Sequence, residues 1–176
     1  MNNIGIFCAS SNNMDAVYYD EAARLGKWMA MNGKSLVYGG ANCGLMEAAA
    51  KAVDENGGKV IGVVPQILFD RNRVSEHIHV TIPCADLNDR KQMLIEKSDV
   101  IVVLPGSVGT LDEVFTVMAA NTIGIHSKRL IFWNINGFWN DLFTLFDGLK
   151  EKGVVNKPMD ELYSIANSFE ELIEQL

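Results

Sequence analysis

Positive charge is in short supply. Fifteen Lys and Arg stand against 22 Asp and Glu, giving a net charge of −7 and a pI near 4.9. A general nucleic-acid surface needs clustered cations to displace phosphate counterions, so that class of partner is excluded. One small anion in a local pocket is not. Cysteine is scarce as well. Cys8, Cys43 and Cys84 form no C-x-x-C pair and have no ligand-like spacing, which argues against a disulfide framework and for reduced thiols in the cytoplasm. His77 and His79 fall on one face of an expected strand with no Asp, Glu or Cys at ligand spacing, and His126 stands alone. No metal centre is expected. No apolar run approaches the roughly 18 residues of a membrane span, and the start Met1-Asn2-Asn3 lacks the basic region of a leader. The P-loop, the dinucleotide fingerprint G-x-G-x-x-G and the G-x-S-x-G elbow are all missing.

What is present is a regular alternation. The 176 residues, 48% of them hydrophobic, suit a single domain spanning 1–176. Strand-like apolar runs occur at Ile4–Ala9, Ser35–Tyr38, Lys59–Val64, Ile78–Ile82, Val100–Leu104, Arg129–Trp133 and Tyr163–Ala166. Helical patterns lie between them, at Met14–Asn32, Gly44–Asn56, Asp86–Lys97, Thr110–Ile123, Trp139–Lys150 and Ser168–Leu176. Several strand runs are continuous rather than alternating, as parallel strands covered on both faces require. The expected fold class is α/β, a Rossmann-like, doubly wound, mainly parallel sheet. Asp86 is placed to cap a helix, and Ser168 with Glu171 has the spacing of a capping box. The stretch Pro65–His77 is the longest irregular segment.

Ligands of such sheets bind beyond the carboxyl ends of the strands, and three strand ends carry unusual loops. The first, Cys8-Ala9-Ser10-Ser11-Asn12-Asn13, holds the Ser10 and Ser11 hydroxyls and two side-chain amides, which can meet a phosphate or ribose oxygen or cap the next helix. The second runs Tyr38-Gly39-Gly40-Ala41-Asn42-Cys43-Gly44-Leu45-Met46 into a helix; Gly39, Gly40 and Gly44 open the backbone amides to an anion, although a tight turn without a ligand also uses glycine. The third is Leu104-Pro105-Gly106-Ser107-Val108-Gly109-Thr110-Leu111-Asp112-Glu113. Here Gly106, Ser107, Gly109 and Thr110 can cradle a phosphate. Thr110 and Glu113 also fit a capping box, which would make Glu113 structural. Arg90 and Lys91 sit near the start of a helix, where cations are disfavoured by the dipole, so they point to a nearby anion or to a solvated pair.

These stretches, in this order, resemble the Lonely Guy (LOG) family, formerly labelled lysine decarboxylases. Its P-G-G-x-G-T-x-x-E segment corresponds to Pro105–Glu113, its G-G-G-x-x-G-L-M loop to Gly39–Met46, its Arg-Lys pair to Arg90-Lys91 and its Gly-Ile-His segment to Gly124-Ile125-His126. Ala41 and Ser107 replace family glycines, and Asn88 stands where a His is common. The resemblance covers essentially the whole chain. It implies a homodimer, each site near the subunit contact, that hydrolyses nucleoside 5′-monophosphates such as AMP or cytokinin riboside 5′-monophosphates. It also implies Arg90 and Glu113 as the catalytic pair, Lys91 as a supporting contact, and no cofactor.

The chemistry agrees with those residue types. Breaking a ribose–N bond develops positive charge on the sugar. A carboxylate beside it is stabilising, and a helix N-terminus is expected to keep Glu113 ionised. Arg90 holds oxyanions without losing its charge. A decarboxylase using pyridoxal needs a Schiff-base Lys with a partner for the ring nitrogen, and no such set stands out. The other class of function is a non-catalytic nucleotide or phosphate binder on the same fold.

Overall fold

The apolar runs become seven strands of one sheet, buried on both faces in its centre. The computed structural model describes residues 2–176. In chain order the elements are β1 (Asn3–Phe7), α1 (Ala16–Met31), β2 (Ser35–Tyr38), α2 (Gly44–Glu55), β3 (Lys59–Pro65), α3 (Gln66–Asp70), β4 (Val80–Cys84) and α4 (Leu87–Lys97). They continue with β5 (Val100–Val103), α5 (Val108–Thr122), β6 (Arg129–Trp133), a 3₁₀ turn (Ile135–Gly137), α6 (Asn140–Glu151), α7 (Met159–Leu162), β7 (Tyr163–Ala166) and α8 (Phe169–Glu174). The strand order is β4-β3-β2-β1-β5-β6-β7, and every pairing is parallel. The expected doubly wound parallel sheet is what forms.

The period of two along each strand sorts the core into halves. Ile4, Ile6, Val100 and Val102 face α1, α2 and α8, packing on Leu25, Met29, Leu45, Val53 and Leu172. Phe7, Ile101, Val103 and Phe132 face α4, α5 and α6, packing on Leu94, Val114, Val117 and Phe146. The direction of winding reverses between β1 and β5, so the loops after these strands diverge and leave a crevice at their carboxyl ends.

Boundaries shift where long-range pairing overrides local pattern. β1 ends at Phe7 rather than Ala9, because the Ala9 amide turns to the Pro105 carbonyl at 3.0 Å. β4 begins at Val80 rather than Ile78, its register set by Ile61 opposite Val80, and it accommodates Pro83 as an edge strand. The segment expected to be irregular contains α3 and then a strap: Ala41 and Val74 form an isolated antiparallel bridge, and the Asn42 amide donates to the Arg73 carbonyl. Asp86 caps α4 through the Asn88 and Asp89 amides at 2.8 and 2.9 Å. Ser168 caps α8, while Glu171 reaches back to the Asn167 amide, one residue outside the N-cap.

Candidate active site

Glu113 sits in the second turn of α5 and is 7% exposed. The capping-box reading of Thr110 and Glu113 does not hold. The helix starts two residues earlier, at Val108, with Ser107 as its N-cap residue. Thr110 lies inside the first turn, buried against Gly106, where a Cβ would come within 2.6 Å of its own Cβ. The expectation that the helix N-terminus keeps Glu113 ionised is likewise overturned. Burial pushes its pKa from 4.5 up to about 7, with Asp112 adding to the rise and Arg90 and Lys91 pulling against it. Desolvation wins because the side chain is almost wholly buried, while Glu113 stands a full turn away from the free amides.

Arg90 projects from α4 toward the sheet. Its guanidinium donates to the Gly39 carbonyl at 2.7 Å and to the Val63 carbonyl at 3.3 Å. Both acceptors lie at the carboxyl ends of β2 and β3, so the sheet edge itself holds the group rigid. Gly39 is required by close approach: a Cβ there would lie 2.9 Å from Arg90 Cζ. Lys91 turns to the outer side of α4 and pairs with Asp112 at 2.9 Å. Both cations therefore have partners within the chain, and neither alone signals a ligand.

The two glycine loops differ in what their amides can do. At the start of α2, the Gly44 amide donates to Asn12 Oδ1 at 2.8 Å and the Leu45 amide to the Ala9 carbonyl at 3.0 Å. Gly40 receives the Ser75 amide, and Gly44, at φ +60, lies so close to the Ala9 and Ser10 backbone that only hydrogen fits. The Asn42, Gly44 and Leu45 amides of that loop are engaged, and its nearest link to the site is the Gly39 carbonyl under Arg90. At α5 the N-cap Ser107 makes no side-chain hydrogen bond, and Ser107, Val108 and Gly109 are exposed. First-turn amides have no intrahelical acceptor, so this end remains open to an anion. Ser10 and Ser11 are exposed on the loop after β1, where Ser11 Oγ accepts from the Asn13 amide at 3.3 Å.

The structure thus gathers Arg90, Lys91, Glu113, Gly39, Gly106 and Thr110 around one corner of the crevice. Sequence reasoning missed any role for Cys8 and Asp112. Cys8 is buried, and its thiol is held well above its ordinary value by burial first and then by Glu113; its position at the end of β1 was the available signal. Asp112 could have been found from its place beside Glu113. His77 and His79 lie elsewhere. His77 Nδ1 meets Asp54 Oδ2 at 2.7 Å and His79 Nε2 meets Asp54 Oδ1 at 3.2 Å, and the bond from His77 holds Asp54 below the usual carboxylate range. Among the described residues no group of three or more His, Cys, Asp or Glu is placed to hold a metal ion, and no helix is long and apolar enough to cross a membrane.

A family model described as possible lysine decarboxylase matches residues 46–176. The chain is 35% identical over 171 residues to the probable cytokinin riboside 5′-monophosphate phosphoribohydrolase LOGL2 of Oryza sativa subsp. japonica, covering 97% of this chain and 70% of that one. It is 34% identical over 171 residues to the cytokinin riboside 5′-monophosphate phosphoribohydrolase LOG5 of Arabidopsis thaliana, covering 97% and 75%. Among solved structures, the molybdenum cofactor binding protein of the phototrophic bacterium Rippkaea orientalis superposes with a TM-score of 0.75 at 24% identity, over 99% of this chain and 94% of that one. The molybdenum cofactor carrier protein of Chlamydomonas reinhardtii gives the same figures, 0.75, 24%, 99% and 94%. At that identity the likeness is one of fold.

Proposed function

The chain belongs to the LOG family, the one its model describes as possible lysine decarboxylase, and from that premise we propose that it is a phosphoribohydrolase of nucleoside 5′-monophosphates, AMP or an N6-substituted relative, giving free base and ribose 5-phosphate. The observation that carries this reading is a buried Glu113 facing an immobilised Arg90 beside the uncapped end of α5. The 5′-phosphate sits on the first-turn amides near Gly106, Ser107, Gly109 and Thr110, where the helix dipole favours an anion. Arg90, fixed by two carbonyls, orients ribose or phosphate oxygens without reorganising. As the C1′–N bond breaks, its electron pair leaves with the base and positive charge develops on the ribose. The Glu113 carboxylate faces that charge, water adds at C1′, and the base takes up a proton.

A pKa of about 7 leaves Glu113 near half-ionised at neutrality. The developing cation favours the ionised form, so the interaction strengthens along the reaction, as catalysis demands. The protein works as a cytoplasmic homodimer in this reading. Its cysteines are all free and buried, and α5 with the loop after it exposes Val108, Phe115, Ile123 and Ile125 at 81, 42, 74 and 70%, an apolar surface that a second copy would cover. The second reading is a carrier or binder without catalysis, which the fold also admits, since solved structures of this fold are named as cofactor binding and carrier proteins.

Chromatography of AMP and adenosine incubated with the protein separates the readings. Adenine released from AMP, and far less from adenosine, is the expected result. AMP bound but returned intact would leave the binder, and equal turnover of both would remove the role given to the phosphate.

A further inference from the structure

A second acid–base pair lies beside the first. α4 presents Arg90 and Lys91 in succession, and α5 presents Asp112 and Glu113. Arg90 and Glu113 turn toward the sheet. Lys91 and Asp112 meet on the outer side, Nζ to Oδ1 at 2.9 Å, with the lysine side chain 15% exposed and the aspartate 55%. Lys91 lines a groove of about 740 Å³ between α4 and α5, together with Asn88, Ile95, Thr116 and His126. A lysine stem confined in this way keeps its ammonium where the carboxylate holds it. One of its three donors is engaged by Asp112. The others remain for an anion arriving at the amino end of α5.

We propose that Asp112 is a positioning residue, fixing the Lys91 ammonium alongside the second turn of α5 so that the phosphate of the substrate meets an oriented donor. This rests on the phosphoribohydrolase reading for the identity of the anion. It differs from a plain brace between two helices in acting through Lys91 and through charge. Glu113 feels Arg90 and Lys91 from α4 and Asp112 from its own helix, and its charge in turn raises the buried Cys8 thiol at the end of β1. Losing the Asp112 charge therefore eases the ionisation of Glu113, and losing mere packing does not.

The test is a double-mutant cycle on the full chain, with ribose 5-phosphate as the probe and calorimetry as the readout. Asp112→Asn is expected to weaken binding by about fivefold, the upper range for a partly exposed charge pair. Lys91→Met weakens it as much or more, and the double variant is no weaker than Lys91→Met alone. Asp112→Glu, which keeps the charge, recovers most of the affinity. A carboxyl carbon-13 titration of Glu113 moves to lower pH in Asp112→Asn. Unchanged affinity, an additional loss in the Lys91→Met background, or an unmoved Glu113 midpoint would each overturn the proposal. Because binding is read without turnover, a protein that binds ribose 5-phosphate yet releases no base loses the hydrolase reading and leaves the cycle valid. A wild type that does not bind ribose 5-phosphate overturns the positioning role, while adenine release from AMP still decides the hydrolase reading.

Discussion

Glu113→Gln is the perturbation that separates a catalytic carboxylate from a structural one, because the two roles predict stability changes of opposite sign. A capping glutamate would make the variant slightly less stable, by at most about 2 kcal/mol. A buried glutamate raised from 4.5 to about 7 is instead a burden once ionised. Its stability contribution is fully present below the unfolded-state value and is lost as pH rises through the folded-state value. At roughly 1.4 kcal/mol per factor of ten in acidity, the ionised group costs about 3 kcal/mol, most of it appearing between about pH 5 and 8. For a chain of this size that is roughly 5 to 10 °C of melting temperature. Gln removes the charge, so the wild type should lose melting temperature over this range relative to the variant. His126 is held below its ordinary value by burial in both proteins alike, so their difference isolates Glu113. Turnover of AMP should fall about a hundredfold or more, the usual effect of removing one electrostatic contact from the transition state, with AMP affinity nearly unchanged. Parallel melting curves across pH, or turnover within threefold of wild type, would refute the reasoning.

Three further outcomes follow from the same geometry. Gly39→Ala places a methyl group 2.9 Å from Arg90 Cζ, displacing the guanidinium from two charge-assisted hydrogen bonds of about 1.5–3 kcal/mol each; kcat/KM should drop at least tenfold, whereas Gly148→Ala, with nothing within 4 Å, should leave it unchanged in the same assay. The pH dependence of kcat/KM should rise through a midpoint near 7, following the Glu113 carboxylate of the free protein; a profile that falls through that midpoint would make the protonated form the working one. Asp99 accepts the Asn2 and Asn3 amides at 2.7 and 3.0 Å, which hold it below its ordinary 3.8. Its stabilisation is present above that value and lost as pH falls through the depressed one, so Asp99→Asn should flatten the acid limb of the melting curve.

Local pattern carries far in this chain. Continuous apolar runs separated by helical periods specify a parallel sheet, because hydrophobic spacing is a property of neighbours in sequence. Asp86 and Ser168 mark helix starts for the same reason. The glycine turns after β2 and β5 are also legible, since the fold class puts every strand's carboxyl end on one edge, whereas Arg90 and Glu113 stand out as a pair only through the family resemblance. The helix start at Val108 was misplaced by two residues. Thr110 has the chemistry of a cap, and only its packing against Gly106 takes it out of that role.

What tertiary structure decided are the pairings between distant residues. Gly39 and Arg90 are 51 residues apart, and no pattern in either loop shows that one seats the other. The two glycine turns read alike in sequence, yet one has its Gly44 and Leu45 amides taken by Asn12 and Ala9 while the other has no side-chain cap. The acidity of Glu113 lay furthest from the sequence, and was misjudged from it. A helix terminus is a local feature, but desolvation is set by surfaces brought from elsewhere in the chain. Once those surfaces close over the carboxyl group, removal from water outweighs the dipole and the neighbouring cations together.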